Sequence, residues 1–212
     1  MEFVYLKRAP KVAVSQPRLL LLLHGYGSNE ADLFSFADDL PDDFFIISLR
    51  APRSIQYGGF GWYDINFMDA EKFNNTEQAA ESLQSIRSFI RQAIIRYDLN
   101  HDEVWLGGFS QGAILSYALV LQDPENIRRV ICMSGYPAHD ILGSLEDRDY
   151  GDLRFFISHG VEDGVIPVEW ARQIKPILDE KGIHYTYKEY RSGHGVVPQN
   201  FQDMKAWMQE NN

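Results

Sequence analysis

The sequence predicts an α/β fold in which helices cover a doubly wound, mostly parallel sheet. Short apolar runs alternate with segments of helical periodicity along all 212 residues, which is typical of parallel strands joined by helical crossovers. The apolar runs are continuous, as expected of strands that are buried on both faces. Because no linker, internal repeat or low-complexity tract interrupts the alternation, we expect a single domain over residues 1–212.

Six runs are predicted as strands, and the last of them differs in pattern from the others. The segment 185–190, YTYKEY, alternates between aromatic and polar side chains and is therefore expected near an edge of the sheet. The continuously apolar runs lie at 18–23, 44–49, 104–108, 130–135 and 154–160.

Helical periodicity fills most of the connections between the predicted strands. The predicted helices span 29–40, 76–97, 111–121, 168–181 and 197–210. In the longest helix the apolar residues follow the i, i+3, i+4 spacing of one buried stripe, formed by Ala80, Leu83, Ile86, Ile90, Ala93, Ile94 and Tyr97. Residues 51–75 form the longest stretch without a regular pattern, and loops of that length are usually functional or mobile.

Charge and composition exclude several classes of partner. Thirty acidic residues against twenty Lys and Arg give a formal net charge of −10, so nucleic acids and anionic membranes are disfavoured and a small neutral or apolar substrate fits better. The amino-terminal residues lack the apolar run of a signal peptide, and no segment approaches the roughly 18 apolar residues of a membrane span, so we expect a cytoplasmic protein. Cys132 is the single cysteine, which excludes a disulfide framework.

One serine lies between a predicted strand and a predicted helix. The motif GFSQG places Ser110 directly after the strand 104–108 and directly before the helix 111–121, which is the context of a nucleophile elbow. Glycine at positions Gly108 and Gly112 would relieve the crowding where the strand and the helix approach each other. The alternative is a serine that only caps the helix.

A serine nucleophile needs a base and an acid that orients the base, and two loops supply them. In the chain order of this elbow, Asp163 follows the fifth predicted strand and His194 follows the sixth, so both are expected to converge with Ser110 at one edge of the sheet. Glu162 is the alternative acid. A metal site at His159 and Asp163 lacks a third ligand, so no metal is expected.

An acyl-transfer site also needs hydrogen-bond donors for the oxyanion of the tetrahedral intermediate. The backbone N–H of Gln111, at the amino terminus of the predicted helix, is one candidate. The segment LHGYG, which follows the first strand, offers the backbone N–H of Tyr26, with Gly25 and Gly27 permitting close approach of the backbone. An ordinary tight turn is the alternative for this segment.

Five motifs together resemble the phospholipase/carboxylesterase family of α/β-hydrolases, which includes the acyl-protein thioesterases. They are LLLHGYG, GGFSQGA, MSGY, HGVEDGVIP and SGHGV, and the resemblance extends over residues 18–207. It implies the α/β-hydrolase fold and a serine hydrolase of carboxylic esters or thioesters that uses no cofactor. It also implies a triad of Ser110, Asp163 and His194, with oxyanion donors at Tyr26 and Gln111.

Departures from the family pattern bear on the substrate. Tyr26 stands where many relatives carry leucine, and the loop after the strand 44–49 differs from the eukaryotic thioesterases. A bacterial-type carboxylesterase is therefore the preferred subgroup. The segment GFGWYDI resembles the family's tryptophan segment, which implies that Trp62, Phe60 and Tyr57 border the acyl site; alternatively, these rings only pin the loop to the core.

The expected partner is a small ester or thioester with a short to medium acyl chain. No large lid is expected, because only a polar segment, 137–153, separates MSGY from the next strand. The alternatives are an acyl-protein thioesterase or lysophospholipase, a dienelactone hydrolase-like enzyme, which usually carries cysteine at the elbow, and a non-catalytic scaffold of the same fold. The sequence leaves open whether the chain forms a homodimer, whereas stable membrane insertion is not expected.

Overall fold

A mostly parallel, seven-stranded sheet organises the chain. The computed structural model describes residues 3–55, 58–66 and 74–212. Its strands are β1 (Tyr5–Arg8), β2 (Leu19–Leu23), β3 (Phe45–Leu49), β4 (Arg53–Ser54), β5 (Phe60–Gly61), β6 (Val104–Phe109), β7 (Ile127–Met133), β8 (Arg154–Gly160) and β9 (His184–Tyr190). The main sheet has the order β1-β3-β2-β6-β7-β8-β9, and within it only the pairing of β1 with β3 is antiparallel; β4 and β5 form a separate antiparallel pair.

Helices pack on both faces of this sheet. They are α1 (Ala31–Phe34), α2 (Thr76–Tyr97), α3 (Gln111–Gln122), α4 (His139–Leu142), α5 (Val168–Arg172), α6 (Ile174–Glu180) and α7 (Pro198–Glu210), with a 3₁₀ turn at Ala37–Asp39. In β2, Leu19, Leu21 and Leu23 join the core beneath α2, α3 and α6, whereas Leu20 and Leu22 join the core beneath α1 and α7. Burial on both faces is the reason that this strand is a continuous apolar run.

The six predicted strands are confirmed, with one shift, whereas β1 and the two short strands β4 and β5 were not predicted. The run predicted at 130–135 begins earlier and ends at Met133, as β7, and β9 lies at an edge of the sheet as expected. The prediction misses β1, whose sequence YLKR is partly exposed and carries no apolar run. This strand acquires its backbone hydrogen bonds from β3, a partner that the local sequence does not reveal.

Two predicted helices are interrupted by local chemistry. The first is shortened to α1 and the 3₁₀ turn, and where α1 ends the Ser35 hydroxyl donates to the carbonyl of Asp32 (2.6 Å). The fourth is split at Gln173 into α5 and α6, because Pro176 has no N–H to donate to the carbonyl of Arg172.

The longest helix has the predicted bounds, and both of its ends are capped. The Asn75 side chain accepts a hydrogen bond from the backbone N–H of Gln78 (3.1 Å), which satisfies one of the unpaired donors of the first turn. At the other end Asp98 adopts the left-handed conformation (φ 50°) that terminates many helices.

The loops at the carboxyl ends of the parallel strands carry the predicted site residues. Ser110 follows β6, Asp163 follows β8 and His194 follows β9, while the segment from His24 to Tyr26 follows β2. Because β2, β6, β8 and β9 run parallel in one sheet, with only β7 between β6 and β8, the four loops lie at the same edge of the sheet.

The connection between β7 and β8 builds no helical cap. Residues 134–153 contain α4 as their only helix, so no large helical cap lies between these two strands. In the parts of the chain that the structure describes, no helix combines the length and the apolar character that crossing a bilayer requires. The single domain over residues 1–212 stays a prediction.

Candidate active site

Ser110 lies on a sharp turn between β6 and α3. Its backbone has φ 52° and ψ −117°, a conformation that is costly for a residue with a Cβ atom. The turn is possible because glycines flank it: a Cβ atom on Gly112 would lie 2.0 Å from the carbonyl oxygen of Leu23, and one on Gly108 would lie 2.5 Å from the backbone of Gly112. The backbone therefore holds Ser110 at the tip of the turn, half-buried.

The hydroxyl of Ser110 is directed away from the helix that it precedes. Ser110 occupies the N-cap position of α3, yet its side chain makes no capping bond there. Instead, Oγ lies 3.0 Å from Nε2 of His194. This is the contact that a hydroxyl nucleophile needs with its base.

His194 bridges the serine and a carboxylate. Its Nδ1 lies 2.6 Å from Oδ2 of Asp163, whose side chain has no exposed surface, and the ring packs 5.1 Å from that of Phe109. The His194 side chain is 18% exposed, whereas that of Asp163 is fully buried. The structure therefore brings together the three side chains that the sequence predicted as a triad.

The loops that carry the acid and the base are joined backbone to backbone. The N–H of Val161 donates to the carbonyl of Tyr190 (2.8 Å), and that of Glu162 donates to the carbonyl of Ser192 (3.0 Å). Gly160 permits this contact, because a Cβ atom there would lie 2.3 Å from a carbonyl oxygen of the facing loop. The separation of acid and base is thus fixed by main-chain contacts.

Local hydrogen bonds hold Asp163 as a carboxylate. Burial opposes ionisation and is the largest single influence, but the hydrogen bond to His194 and those from the backbone outweigh it, so the pKa of Asp163 lies below its ordinary value. Oδ1 accepts the N–H groups of Val165 (2.8 Å) and Ile166 (2.9 Å). The second oxygen, Oδ2, is thereby presented to the imidazole.

The alternative acid points elsewhere. Glu162 forms an exposed ion pair with Arg191 (3.0 Å). His159 is buried, with Nε2 2.9 Å from the carbonyl of Ile166 and 3.3 Å from Oδ2 of Asp163. Among the described residues, no group of three or more His, Cys, Asp or Glu side chains is arranged to hold a metal ion.

Two candidate oxyanion donors flank the serine. The first intrahelical bond of α3 runs from Ile114 to the carbonyl of Ser110 (3.0 Å), so the backbone N–H of Gln111 lies in the first turn, directed toward the amino terminus of the helix. On the other side, a Cβ atom on Gly25 would lie 3.2 Å from Cβ of Ser110, so Gly25, whose carbonyl begins the peptide to Tyr26, lies beside the nucleophile.

The Gln111 side chain has a role that sequence reasoning missed. It is buried, its Oε1 accepts the N–H of Trp62 (2.8 Å), and its Nε2 donates to the carbonyl of Tyr63 (2.8 Å). The residue after the nucleophile therefore anchors the aromatic loop that follows β5. Its adjacency to Ser110 is the only sequence signal, and it does not disclose the partner.

The structure places Trp62 inside the protein and Phe60 at its surface. Trp62 has no exposed surface and its Nε1–H donates to the carbonyl of His24 (2.9 Å), so it reaches a substrate only if this packing rearranges. Phe60 is half-buried beneath the guanidinium of Arg50, 4.6 Å away, and its backbone bonds to the loop after β2. Substrate contact by either ring stays a prediction, and Tyr57 lies outside the described residues.

Cys132 is a buried member of the core. Burial raises the pKa of its thiol well above the ordinary value, which disfavours a thiolate.

A mostly parallel sheet with serine, acid and base on loops beyond its carboxyl edge, and the serine on a strained strand-to-helix turn, is the architecture of the α/β-hydrolases. The phospholipase/carboxylesterase family model matches residues 9–212, and the chain belongs to this family. The relatives and structural neighbours that it matches include proteins named carboxylesterase and acyl-protein thioesterase, and the class of enzyme inferred from the motifs, a hydrolase of carboxylic esters or thioesters, is confirmed.

Individual relatives are distant in sequence and close in fold. Acyl-protein thioesterase 1 of Eremothecium gossypii is 25% identical over 208 residues, which cover 90% of this chain and 86% of that protein. The carboxylesterase of Bacillus cereus superimposes with a TM-score of 0.85 at 19% identity, over 98% of this chain and 94% of that one. Esterase PE8 gives a TM-score of 0.86 at 23% identity, over 99% of each chain.

Proposed function

We propose that this protein cleaves carboxylic esters, and thioesters, of short to medium acyl chains through an acyl-enzyme on Ser110. The observation that carries the proposal is the continuous hydrogen-bonded chain from Ser110 through His194 to Asp163. The nucleophile is hydrogen-bonded to its base, and the base is hydrogen-bonded to the acid that orients it. The nucleophile, base, acid and oxyanion donors all come from the protein, so the reaction as proposed needs no metal or cofactor.

The first half-reaction forms the acyl-enzyme. Oγ of Ser110 attacks the acyl carbon while its proton passes to Nε2 of His194, and the carbonyl oxygen becomes an oxyanion. The buried carboxylate of Asp163 stabilises the imidazolium across the 2.6 Å contact. When the tetrahedral intermediate collapses, the leaving alcohol or thiol takes the proton from Nε2.

The second half-reaction reverses these roles with water as the nucleophile. His194 accepts a proton from water as the oxygen attacks the acyl carbon, and then returns it to Oγ of Ser110 as the carboxylic acid departs. In both tetrahedral intermediates the backbone N–H groups of Tyr26 and Gln111 are the proposed donors to the oxyanion. Losing one such donor costs about 10²- to 10³-fold in kcat in enzymes of this kind.

An open site favours soluble substrates over emulsified fats. The segment between β7 and β8 supplies no apolar cap, so nothing there must open at a lipid interface. Each additional CH₂ that enters an apolar groove contributes about 0.8 kcal/mol until the groove ends. We therefore expect kcat/KM to rise with acyl length and then level off, without a jump at the micellar threshold.

A thioester-directed role is the second candidate. The curated relatives include acyl-protein thioesterases at 25% identity, and the proposed chemistry is the same for a thiolate leaving group. Matched pairs of oxygen and thio esters with the same acyl chain separate the two roles. A kcat/KM ratio that favours the thioester at every chain length would support the thioesterase, and the reverse ratio would support the carboxylesterase.

Active-site labelling tests the proposal directly. A fluorophosphonate probe should modify the wild-type protein at Ser110 with a stoichiometry near one, and Ser110→Ala should abolish both labelling and ester hydrolysis. We expect kcat to fall by at least about a thousandfold in Ser110→Ala and in His194→Ala. A correctly folded wild-type protein that neither hydrolyses the ester panel nor takes the label would support a non-catalytic scaffold instead.

The cellular context extends the proposal. We place the protein in the cytoplasm, acting on small neutral substrates, because its formal net charge of −10 disfavours nucleic acids and anionic membranes as partners. Its partner is the small ester or thioester substrate, and sedimentation equilibrium would distinguish a monomer from a homodimer.

A further inference from the structure

His24 is a fully buried histidine that the proposed mechanism does not use. It follows β2 directly and has no exposed surface. Both ring nitrogens have partners: Nδ1 lies 2.7 Å from the carbonyl oxygen of Gly25, and Nε2 lies 3.0 Å from the backbone nitrogen of Ala51. The ring thus links the loop after β2 to the loop after β3.

These two contacts fix the protonation of the ring. The N–H of Ala51 can only donate, so Nε2 of His24 is the acceptor. The carbonyl of Gly25 can only accept, so Nδ1 carries the proton. Burial holds the pKa of His24 below its ordinary value, which is consistent with a neutral ring.

The carbonyl that accepts this proton belongs to the peptide between Gly25 and Tyr26. No peptide bond among the described residues is cis, and in a trans peptide the C=O and the N–H point in opposite directions. His24 (2.7 Å) and, at a longer distance, the backbone N–H of Ser28 (3.2 Å) hold the Gly25 carbonyl on one side, so the N–H of Tyr26 is directed to the other. Gly25, whose carbonyl begins this peptide, lies beside the nucleophile, since a Cβ atom added to Gly25 would come within 3.2 Å of Cβ of Ser110.

The same histidine is tied to the second oxyanion donor. The carbonyl of His24 accepts the indole N–H of Trp62, and the backbone N–H of Trp62 donates to the side chain of Gln111. Gln111 also carries the other proposed donor, its own backbone N–H. One buried network, His24–Trp62–Gln111, thus connects the two peptides that would bind the oxyanion.

We propose that His24 is a positioning residue for the oxyanion site: its Nδ1–H orients the Gly25–Tyr26 peptide, so that the Tyr26 N–H is directed at the oxyanion that develops beside Ser110. This rests on the proposed function, and it adds a residue that acts through a backbone peptide without touching the substrate. It also gives the buried Trp62 a role, that of holding the His24 carbonyl and bracing this segment of the loop.

Two substitutions separate the positioning bond from the structural bond. An asparagine amide nitrogen overlays Nδ1 of histidine, so His24→Asn keeps a donor to the Gly25 carbonyl and loses the acceptor for Ala51. A glutamine amide overlays Nε2, so His24→Gln keeps a group facing Ala51 and loses the donor to Gly25. Each variant loses one of the two ring hydrogen bonds, and urea unfolding of both measures the loss of stability that each causes.

The assay measures kcat and KM on a soluble ester, together with the Ki of a trifluoromethyl ketone of matched chain length. Oγ of Ser110 adds to the carbonyl carbon of the ketone while the serine proton passes to His194. The ketone oxygen thereby becomes an oxyanion that occupies the oxyanion site. We expect His24→Gln to lower kcat by about 10- to 100-fold, less than the loss of a whole donor. KM should change little, and Ki should rise by a similar factor. His24→Asn should lose less than about threefold in kcat.

The outcomes distinguish this proposal from the function on which it rests. Equal losses of kcat in the two variants, or a loss in His24→Gln without weaker ketone binding, would overturn the positioning role while leaving the serine hydrolase intact. If the wild-type protein hydrolyses no ester and Ser110 takes no fluorophosphonate label, the proposed function fails, and the role of His24 in it fails with it.

Discussion

Substituting Asp163 by asparagine should disable catalysis through the wrong tautomer of His194. Oδ1 of Asp163 accepts two backbone N–H groups, from Val165 and Ile166, so an asparagine is stable there only with its amide oxygen facing them. The NH₂ group then faces Nδ1 of His194, which must accept, and the ring proton moves to Nε2. In that tautomer the base cannot take the proton of Ser110.

The structure sets the size of the effect. Flipping the amide would restore the catalytic tautomer, but it would leave two buried N–H groups without an acceptor, at a cost of about 1–3 kcal/mol each. The competent arrangement is therefore disfavoured by about 2–6 kcal/mol, which corresponds to a loss of about 30-fold to 10⁴-fold in kcat. Loss of the carboxylate charge opposite the imidazolium adds to this.

Steady-state hydrolysis of a soluble chromogenic ester measures the loss, with circular dichroism to verify the fold of each variant. Glu162→Gln is the matched control, because that carboxylate forms an exposed ion pair and such pairs contribute only about 0–1 kcal/mol. The reasoning is refuted if Asp163→Asn keeps kcat within about threefold of the wild type. It is refuted as well if Glu162→Gln is the damaging change.

Three further predictions use other parts of the structure. Gly112→Ala should lower the free energy of unfolding by about 3 kcal/mol or more and reduce activity, because the new Cβ atom would lie 2.0 Å from a carbonyl oxygen of β2. Urea unfolding measures the loss, with Gly164→Ala as the control, because a Cβ atom there meets nothing within 4 Å. The pKa of His24 lies below its ordinary value of 6.5 because of burial, so the unfolded state binds more protons and stability should be greatest above that pH and decline as the pH falls. The difference in unfolding free energy between about pH 7.5 and about pH 5 should be smaller in His24→Asn than in the wild type. An equal difference in the two proteins would show that His24 does not cause the pH dependence. Phe60→Ala should lower kcat/KM more for long esters than for acetate esters, whereas Trp62→Phe should lower kcat/KM by the same factor for every chain length. A chain-length dependence found only in the tryptophan variant would show that Trp62 contacts the acyl chain.

Two details of the site show how far local sequence can be trusted. The GFSQG motif indicated a strained turn because a strand and a helix that approach closely at an elbow require small residues there. The structure places Gly108 against the backbone of Gly112, and Gly112 against the carbonyl of Leu23 in the neighbouring strand. The aromatic loop gave no equivalent signal. Tryptophan suits both an acyl groove and a core, and only the contacts of Trp62 with His24 and Gln111 reveal that it is buried.

The sequence by itself determined the parallel sheet, the order of its strands along the chain, and the loops in which Ser110, Asp163 and His194 lie. These follow from burial on both faces and from the rule that parallel strands end at a common edge, and both properties are written into short segments. The tertiary structure alone decided the pairing of β1, the anchoring of the aromatic loop by Gln111, and the tautomer of His24. Each of these depends on a hydrogen-bond partner that is distant in the sequence, and the local pattern of a segment carries no information about such a partner.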